Sequence, residues 1–396
     1  MRRLTMGSLV RAAALAAVIV LPACSSMPSM PSMNPMDWFG STSSGPKPAE
    51  LPVLTNPQSV KVLWSSSVGA SDGFFFSPAL AGDGVYAAAH GGTVVRLDPA
   101  TGQAKWRISV GKRISSGVGT DGTVAVVAAQ DGEVFALDAL SGVVKWRARV
   151  SSEVLAQPKV SDGLVLVRSA DSKIFAFGRE DGKRRWVYQR PAAALIVRSP
   201  VGLTTHQGMA YAGFSGGKLI AITLADGVAR WEATVALPKG ATELERVTDM
   251  VGDPTVQGRE VCGAAYQGRV ACYDIQNGNQ MWSREMSTLT GVSFDARYGF
   301  VSDDKGAVHA LDRTNGRSVW KQDRLAHRQL TLPLPMGTEV AIGDLQGNVH
   351  FVARESGAFL ARIATDGSPV RAAPLRLAEG FLVQTQNGGL FALNLQ

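Results

Sequence analysis

One arrangement of apolar and polar positions recurs through most of the chain. It runs Gly, one residue, about four apolar positions in succession, often Asp, then a turn closed by Gly, then Trp four residues after that Gly. The first full copy is Gly92-Thr93-Val94-Val95-Arg96-Leu97-Asp98, followed by Thr101-Gly102 and Trp106. The second is Gly132-Glu133-Val134-Phe135-Ala136-Leu137-Asp138, followed by Ser141-Gly142 and Trp146. Later copies reach Trp186, Trp231, Trp282 and Trp320. A seventh, Gly347 to Gly357, has Ala361 in the Trp slot, and an eighth starts at Gly388 and runs out at Gln396.

The turn glycines Gly102, Gly142, Gly182, Gly227, Gly278, Gly316 and Gly357 are spaced by 40, 40, 45, 51, 38 and 41 residues. A period near 40–45 with strand-like runs marks a four-stranded propeller blade. Two further apolar runs lie between each Trp and the next Gly, as in Gln157–Val160 and Leu164–Val167 around Ser161-Asp162-Gly163. The third run of each repeat is continuously apolar, as expected of a strand buried on both faces between stacked blades. The Trp is then an inter-blade packing residue.

The eighth copy lacks its last strand and Trp. Val60-Lys61-Val62-Leu63-Trp64 has the missing strand and precedes the first full copy. Counting Trp64 gives eight outer-strand slots for eight third-strand slots. The pattern therefore predicts an all-β, eight-bladed propeller over 59–396, closed by the N-terminal strand.

The N-terminus breaks the pattern. Met1–Arg11 is basic, Ala12–Leu21 (AAALAAVIVL) is apolar, and Leu21-Pro22-Ala23-Cys24 follows. Ten apolar residues suit a signal peptide rather than a membrane span. The last four resemble the bacterial lipobox, so residues 1–23 are expected to be cleaved and Cys24 to be acylated through its thiol. Two or three chains anchor a protein stably where one does not. Ser25, in place of the Asp that holds such lipoproteins at the inner membrane, favours the periplasmic face of the outer membrane. Residues 24–58, rich in Ser, Pro and Met, read as a lipid-anchored extended tether. Met27, Met30 and Met33 raise a Cu(I) site, but a low-complexity linker accounts for them.

Composition narrows the function. Of the net charge of +7, Arg2, Arg3 and Arg11 supply three, leaving about +4 (7 − 3) after cleavage. That residue of charge is too weak and dispersed for nucleic acid. No HExxH, GxSxG, P-loop or CxxC occurs. His309 and His350 share a slot in adjacent repeats that Phe135, Phe175, Ile220 and Phe391 fill elsewhere. They are expected to pack between blades, with no metal site. Cys262 and Cys272 occupy slots that are elsewhere apolar core, which favours buried thiols, though the hairpin at Gln267-Gly268 would also allow a disulfide.

The two overlong repeats carry their excess after Trp186, within Tyr188–Ser199, and after Trp231, within Leu237–Asp253. Both fall on the same connection of successive blades, and propeller insertions often build the binding face. Pro191–Arg198 is apolar with a terminal Arg. Glu243–Asp249 is charged and offers Arg246 and Asp249. Apolar anchors beside Arg and acids form a docking patch; two variable loops with local helix are the plainer alternative.

The repeat G-x-(V/L)-(F/x)-A-L-D-x-x-(S/T)-G-x-x-x-W resembles that of the quinoprotein (PQQ) propellers. Lipobox, tether and eight such repeats together resemble the BamB family, lipoprotein subunits of the outer-membrane β-barrel assembly machinery, over Cys24 to Gln396. The resemblance implies a non-catalytic, cofactor-free scaffold that binds the periplasmic domains of the barrel subunit BamA and assists insertion of β-barrel proteins, with unfolded outer-membrane proteins as further partners. It places the contact on Leu195, Val197, Arg198 and Asp249. The family's second acid falls on Val251, or on Asp253 if there is an insertion. A quinoprotein dehydrogenase would need a cofactor pocket with a catalytic Asp, Ca²⁺ and typically adjacent cysteines, which this chain does not have. A polysaccharide-binding envelope lipoprotein is a third class on the same fold.

Overall fold

The computed structural model describes residues 46–191 and 195–396. Cys24, the signal segment and the Met27–Met33 run lie outside the described residues. The described chain forms eight separate four-stranded antiparallel sheets. Blade 1 comprises Ala79–Ala81, Gly84–Ala88, Thr93–Leu97 and Ala104–Ser109. Blades 2 to 7 repeat this order and end on the outer strands Val144–Arg149, Arg184–Gln189, Ala229–Thr234, Gln280–Glu285, Ser318–Gln322 and Phe359–Ala364. Blade 8 takes Leu375–Arg376, Phe381–Gln384 and Gly389–Leu395 from the C-terminus and Val60–Ser67 from the N-terminus.

The closing strand is the missing fourth strand of the repeat in its usual register. Trp64 stands opposite Ala392, as Trp146 stands opposite Ala136 and Trp186 opposite Ala176. Each of these ladders has its register shift beside that pair. The third strands are buried on both faces: Val134, Phe135, Ala136 and Leu137 are all at 0 % exposure. Outer strands alternate instead, because one face packs on the next blade and the other meets solvent.

Trp and turn Gly turn out to be two halves of one contact. Each indole lies flat on the turn glycine of the next blade, where a methyl group would come within 2.4–3.0 Å of its ring carbons. Those seven glycines also sit at φ of 64–75°, where only glycine is unstrained. Six of the seven indole N–H groups donate to a carbonyl in that same turn, from Trp64 to Pro99 at 2.9 Å through Trp320 to Arg354 at 2.8 Å. Trp282 packs in the same way but its N–H has no partner. The Ala361 exception now has a reason. Blade 8 has no turn between its third and fourth strands, because the fourth, Val60–Ser67, comes from the other end of the described chain. Ala361 lies in a core cluster against which Val60 and Leu395 pack.

One expectation is corrected. Cys262 and Cys272 form a disulfide rather than two thiols. Their slots are indeed core, at 2 % and 0 % exposure, but the two residues are directly opposed across the ladder, which brings their sulfurs together. Part of the stretch read as tether, from Lys47 on, packs with the propeller. Ala49 N–H donates to Ala326 O, Arg328 Nη1 donates to Ala49 O at 2.7 Å, and Arg362 Nη1 donates to Pro52 O at 3.2 Å. Gln58 N–H then meets Leu360 O on blade 7.

Candidate partner-docking face

Connections from one blade's outer strand to the next blade's first strand all emerge on one face. Most are short, such as 110–118 and 150–158, whereas those entering blades 4 and 5 span 190–202 and 235–249. Part of the second excess is absorbed inside a strand: Met250–Gln257 carries a register shift between Val251 and Thr255. Neither loop contains a helix in its described residues. Thr242–Arg246 is a single turn, stapled by Glu245, which accepts from Ala241 and Thr242 N–H and donates its own N–H to Thr242 Oγ1.

The structure sorts the candidate residues by exposure. Leu195 and Ile196 are 48 % and 46 % exposed, and Leu244 on the second loop is 74 % exposed. Val197 is half-buried and Arg198 exposed. Arg198 Nη2 pairs with Glu153 of the 150–158 connection at 2.8 Å, and its guanidinium lies 5.2 Å from the centre of the Phe74 ring. Phe74 in turn stacks on His90 at 4.6 Å. One side chain thus crosses three connections, although an ion pair this exposed contributes at most about 1 kcal/mol. Arg246 is exposed, with Glu243 3.9 Å away.

Asp249 is a brace beneath this surface. It is 6 % exposed. Oδ2 accepts Val197 N–H at 2.6 Å and Oδ1 accepts Gly216 N–H at 3.2 Å, so it ties the two long loops together. Burial pushes its carboxyl above the usual range despite those two donors. Neither reading of the second acid gives a free carboxylate: Val251 is buried, and Asp253 is held by Gly202 N–H and Lys159. Ile196, Leu244, Glu153 and Phe74 were not among the expected contacts. The first two were visible as apolar residues in overlong loops. The last two sit on short connections with no sequence signal.

Beside this patch, connections and first strands from around the ring enclose a cavity of about 440 Å³ lined by Phe75, Pro78, Pro200, Pro254 and Pro374, with Arg371. Its single carboxylate is the engaged Asp253. These residues do not fit a PQQ–calcium group.

The two blade histidines are not simply packed. His309 Nε2 lies 2.9 Å from Asp303, and His350 Nε2 lies 2.9 Å from Asp344. Asp344 also accepts from Arg328 Nε at 2.7 Å and from Asn348. Burial alone would raise Asp344, yet His350, Asn348 and Arg328 hold it well below the usual carboxylate range. Each His has an Asp six residues earlier and no other repeat has either, a co-occurrence legible in the sequence. Among the described residues, the one cluster with metal-ligand geometry is Glu260 with Cys262 and Cys272, whose sulfurs are bonded to each other.

Residues 90–322 match the family profile of the outer membrane protein assembly factor BamB. The chain belongs to the BamB family. It is 40 % identical to the BamB of Bordetella pertussis over 89 % of this chain and 91 % of that protein. The crystal structure of BamB from Moraxella catarrhalis superposes with a TM-score of 0.79 at 26 % identity, over 85 % of this chain and all of that one. A quinohemoprotein alcohol dehydrogenase from Pseudomonas putida matches at 0.68 with 13 % identity, over 85 % of this chain and 76 % of that one, and so shares only the fold with this BamB-family chain.

Proposed function

We propose that this outer membrane protein assembly factor is a non-catalytic scaffold, anchored by acylated Cys24 to the periplasmic face of the outer membrane, that docks the periplasmic domains of BamA. The observation that carries the reading is the exposed Leu195–Arg198 segment, held in place by the buried Asp249 bridge between the two longest connections. Leu195, Val197 and Arg198 make the contact, Arg246 supports it from the rim, and Asp249 positions Val197 from below. An Arg fork pairs bidentately with a carboxylate, which Lys cannot reproduce.

The test is co-purification of BamA with a Leu195→Ala, Arg198→Ala double variant. Truncating central interface anchors costs about 2 kcal/mol or more, roughly thirtyfold in affinity. Arg184→Ala, an exposed residue on the outer strand of blade 3, is the control and leaves binding intact. Unchanged recovery of BamA with the double variant sinks this reading. The anchor is tested separately: Cys24→Ser abolishes acylation, and mass spectrometry finding a mature N-terminus other than a lipidated Cys24 in the wild type refutes it.

A further inference from the structure

Under the Leu195–Arg198 segment lies a pocket of about 240 Å³ whose lining includes Arg168, Ser169, Ser172, Ser199 and Ser215. Arg168 ends the second strand of blade 3 (Leu164–Ser169), with its guanidinium 4.8 Å from the centre of the Phe214 ring. That group carries five N–H donors, yet among the described residues its one hydrogen bond is a long one, Nη1 to Gly202 O at 3.4 Å.

The carboxylates around it make their contacts elsewhere. Asp249 is taken by the N–H groups of Val197 and Gly216, Asp253 by Gly202 N–H and Lys159, and Glu153 gives one oxygen to Arg198 while its Oε1 is buried without a partner. None lies within ion-pair distance of Arg168 among the described residues. Burial pushes Arg168 down to about 10, with Asp253 and Asp249 opposing the shift from a distance. Arg168 is half-buried, and a partly desolvated cation with open donors gains from a partner that pairs with it. On the same wall, Ser199 Oγ is buried without a partner.

Resting on the docking reading above, we propose that this pocket receives one acidic side chain of the docked protein partner, with Arg168 as its bidentate counter-ion and Ser199 as an added donor. The apolar Leu195–Ile196 rim shields the pair from water, and Arg198 stays with Glu153 at the mouth. Specificity then comes from a buried charge pair, with the apolar rim supplying contact area.

The experiment measures affinity for the purified periplasmic domains of BamA by calorimetry. Arg168→Gln should lower affinity by roughly thirtyfold, and Arg168→Lys should recover only a minor part of that loss. Thermal unfolding of both should match wild type, because Arg168 has no close ion pair to lose among the described residues and its hydrogen bond to Gly202 is long. Replacing each Asp and Glu of the partner by Asn or Gln should then find one acid whose loss is not additive with Arg168→Gln. If Arg168→Gln binds normally while Leu195→Ala with Arg198→Ala does not, the carboxylate pocket is wrong and the docking face stands. If both bind normally, the docking face itself fails. Affinity and thermal stability lost together, with no single partner acid coupled to position 168, would make Arg168 structural and overturn the proposal.

Discussion

The turn rim of the ring and its connection face are built on opposite principles. At the rim, one contact is used seven times: an indole laid on a left-handed glycine of the next blade. On the connection face, the loops differ in length, and the two longest expose Leu195, Ile196 and Leu244. The rim buries its indoles against the next blade, although Leu140 and Val143 beside Gly142 stay exposed, whereas the face carries its exposed apolar side chains on its two longest loops.

The largest effect expected on the rim side comes from removing Val60–Trp64. The last blade would lose its outer strand and the Trp64–Gly102 contact, leaving an open edge. Thermal unfolding should show a loss of several kcal/mol, and an unchanged transition would mean that the N-terminal strand does not close the ring. Next is Trp320→Ala against Trp282→Ala. Both lose an indole resting on a glycine, at about 3–5 kcal/mol, but only Trp320 also gives up a hydrogen bond, about 1 kcal/mol more. Equal denaturation midpoints would show that the indole N–H contributes nothing. On the connection face, Leu195→Ala with Arg198→Ala should leave stability within about 0.5 kcal/mol, since both residues are half exposed or more. A large stability loss would erase the contrast between rim and face.

The smallest effect is electrostatic and lies in blade 7. Burial lowers the proton affinity of His350, so the unfolded chain takes up a proton first as pH falls below about 6.5. Stability should therefore decline between pH 7 and pH 5. The lowered Asp344 adds a second loss only as pH falls below about 4. His350→Phe, which restores the residue found at Phe135, Phe175 and Phe391, should flatten the first phase and weaken the second, since His350 is among the groups that hold Asp344 low. An unaltered pH profile would show that the imidazole is not the titrating group.

What the sequence disclosed follows the same division. Blade count, strand order and the closing role of Val60–Trp64 were legible because the repeat states each contact many times. Ala361 in the Trp slot was visible too, but its reason required knowing that blade 8 has no turn to receive an indole. The connection face was legible only as length. That Leu195 is exposed and Asp249 buried depends on how two loops lean on each other, which no periodicity encodes. The Cys262–Cys272 bridge was open for a similar reason: a core slot looks the same whether its sulfur is bonded or free.

The docked stretch from Lys47 to Gln58 also has a mechanical consequence. Ala49 and Pro52 are gripped through their backbone by Arg328, Arg362 and Ala326 before the chain reaches the closing strand. Arg328 is itself fixed by Asp344 and Gln346 at the edge of blade 7. A pull arriving from residues ahead of Lys47 is met first by these clamps, a few residues short of the ladder between Val60–Ser67 and Gly389–Leu395. They work as a strain relief on a cable: the load passes into the wall of the ring, and the seam that holds the ring shut is spared.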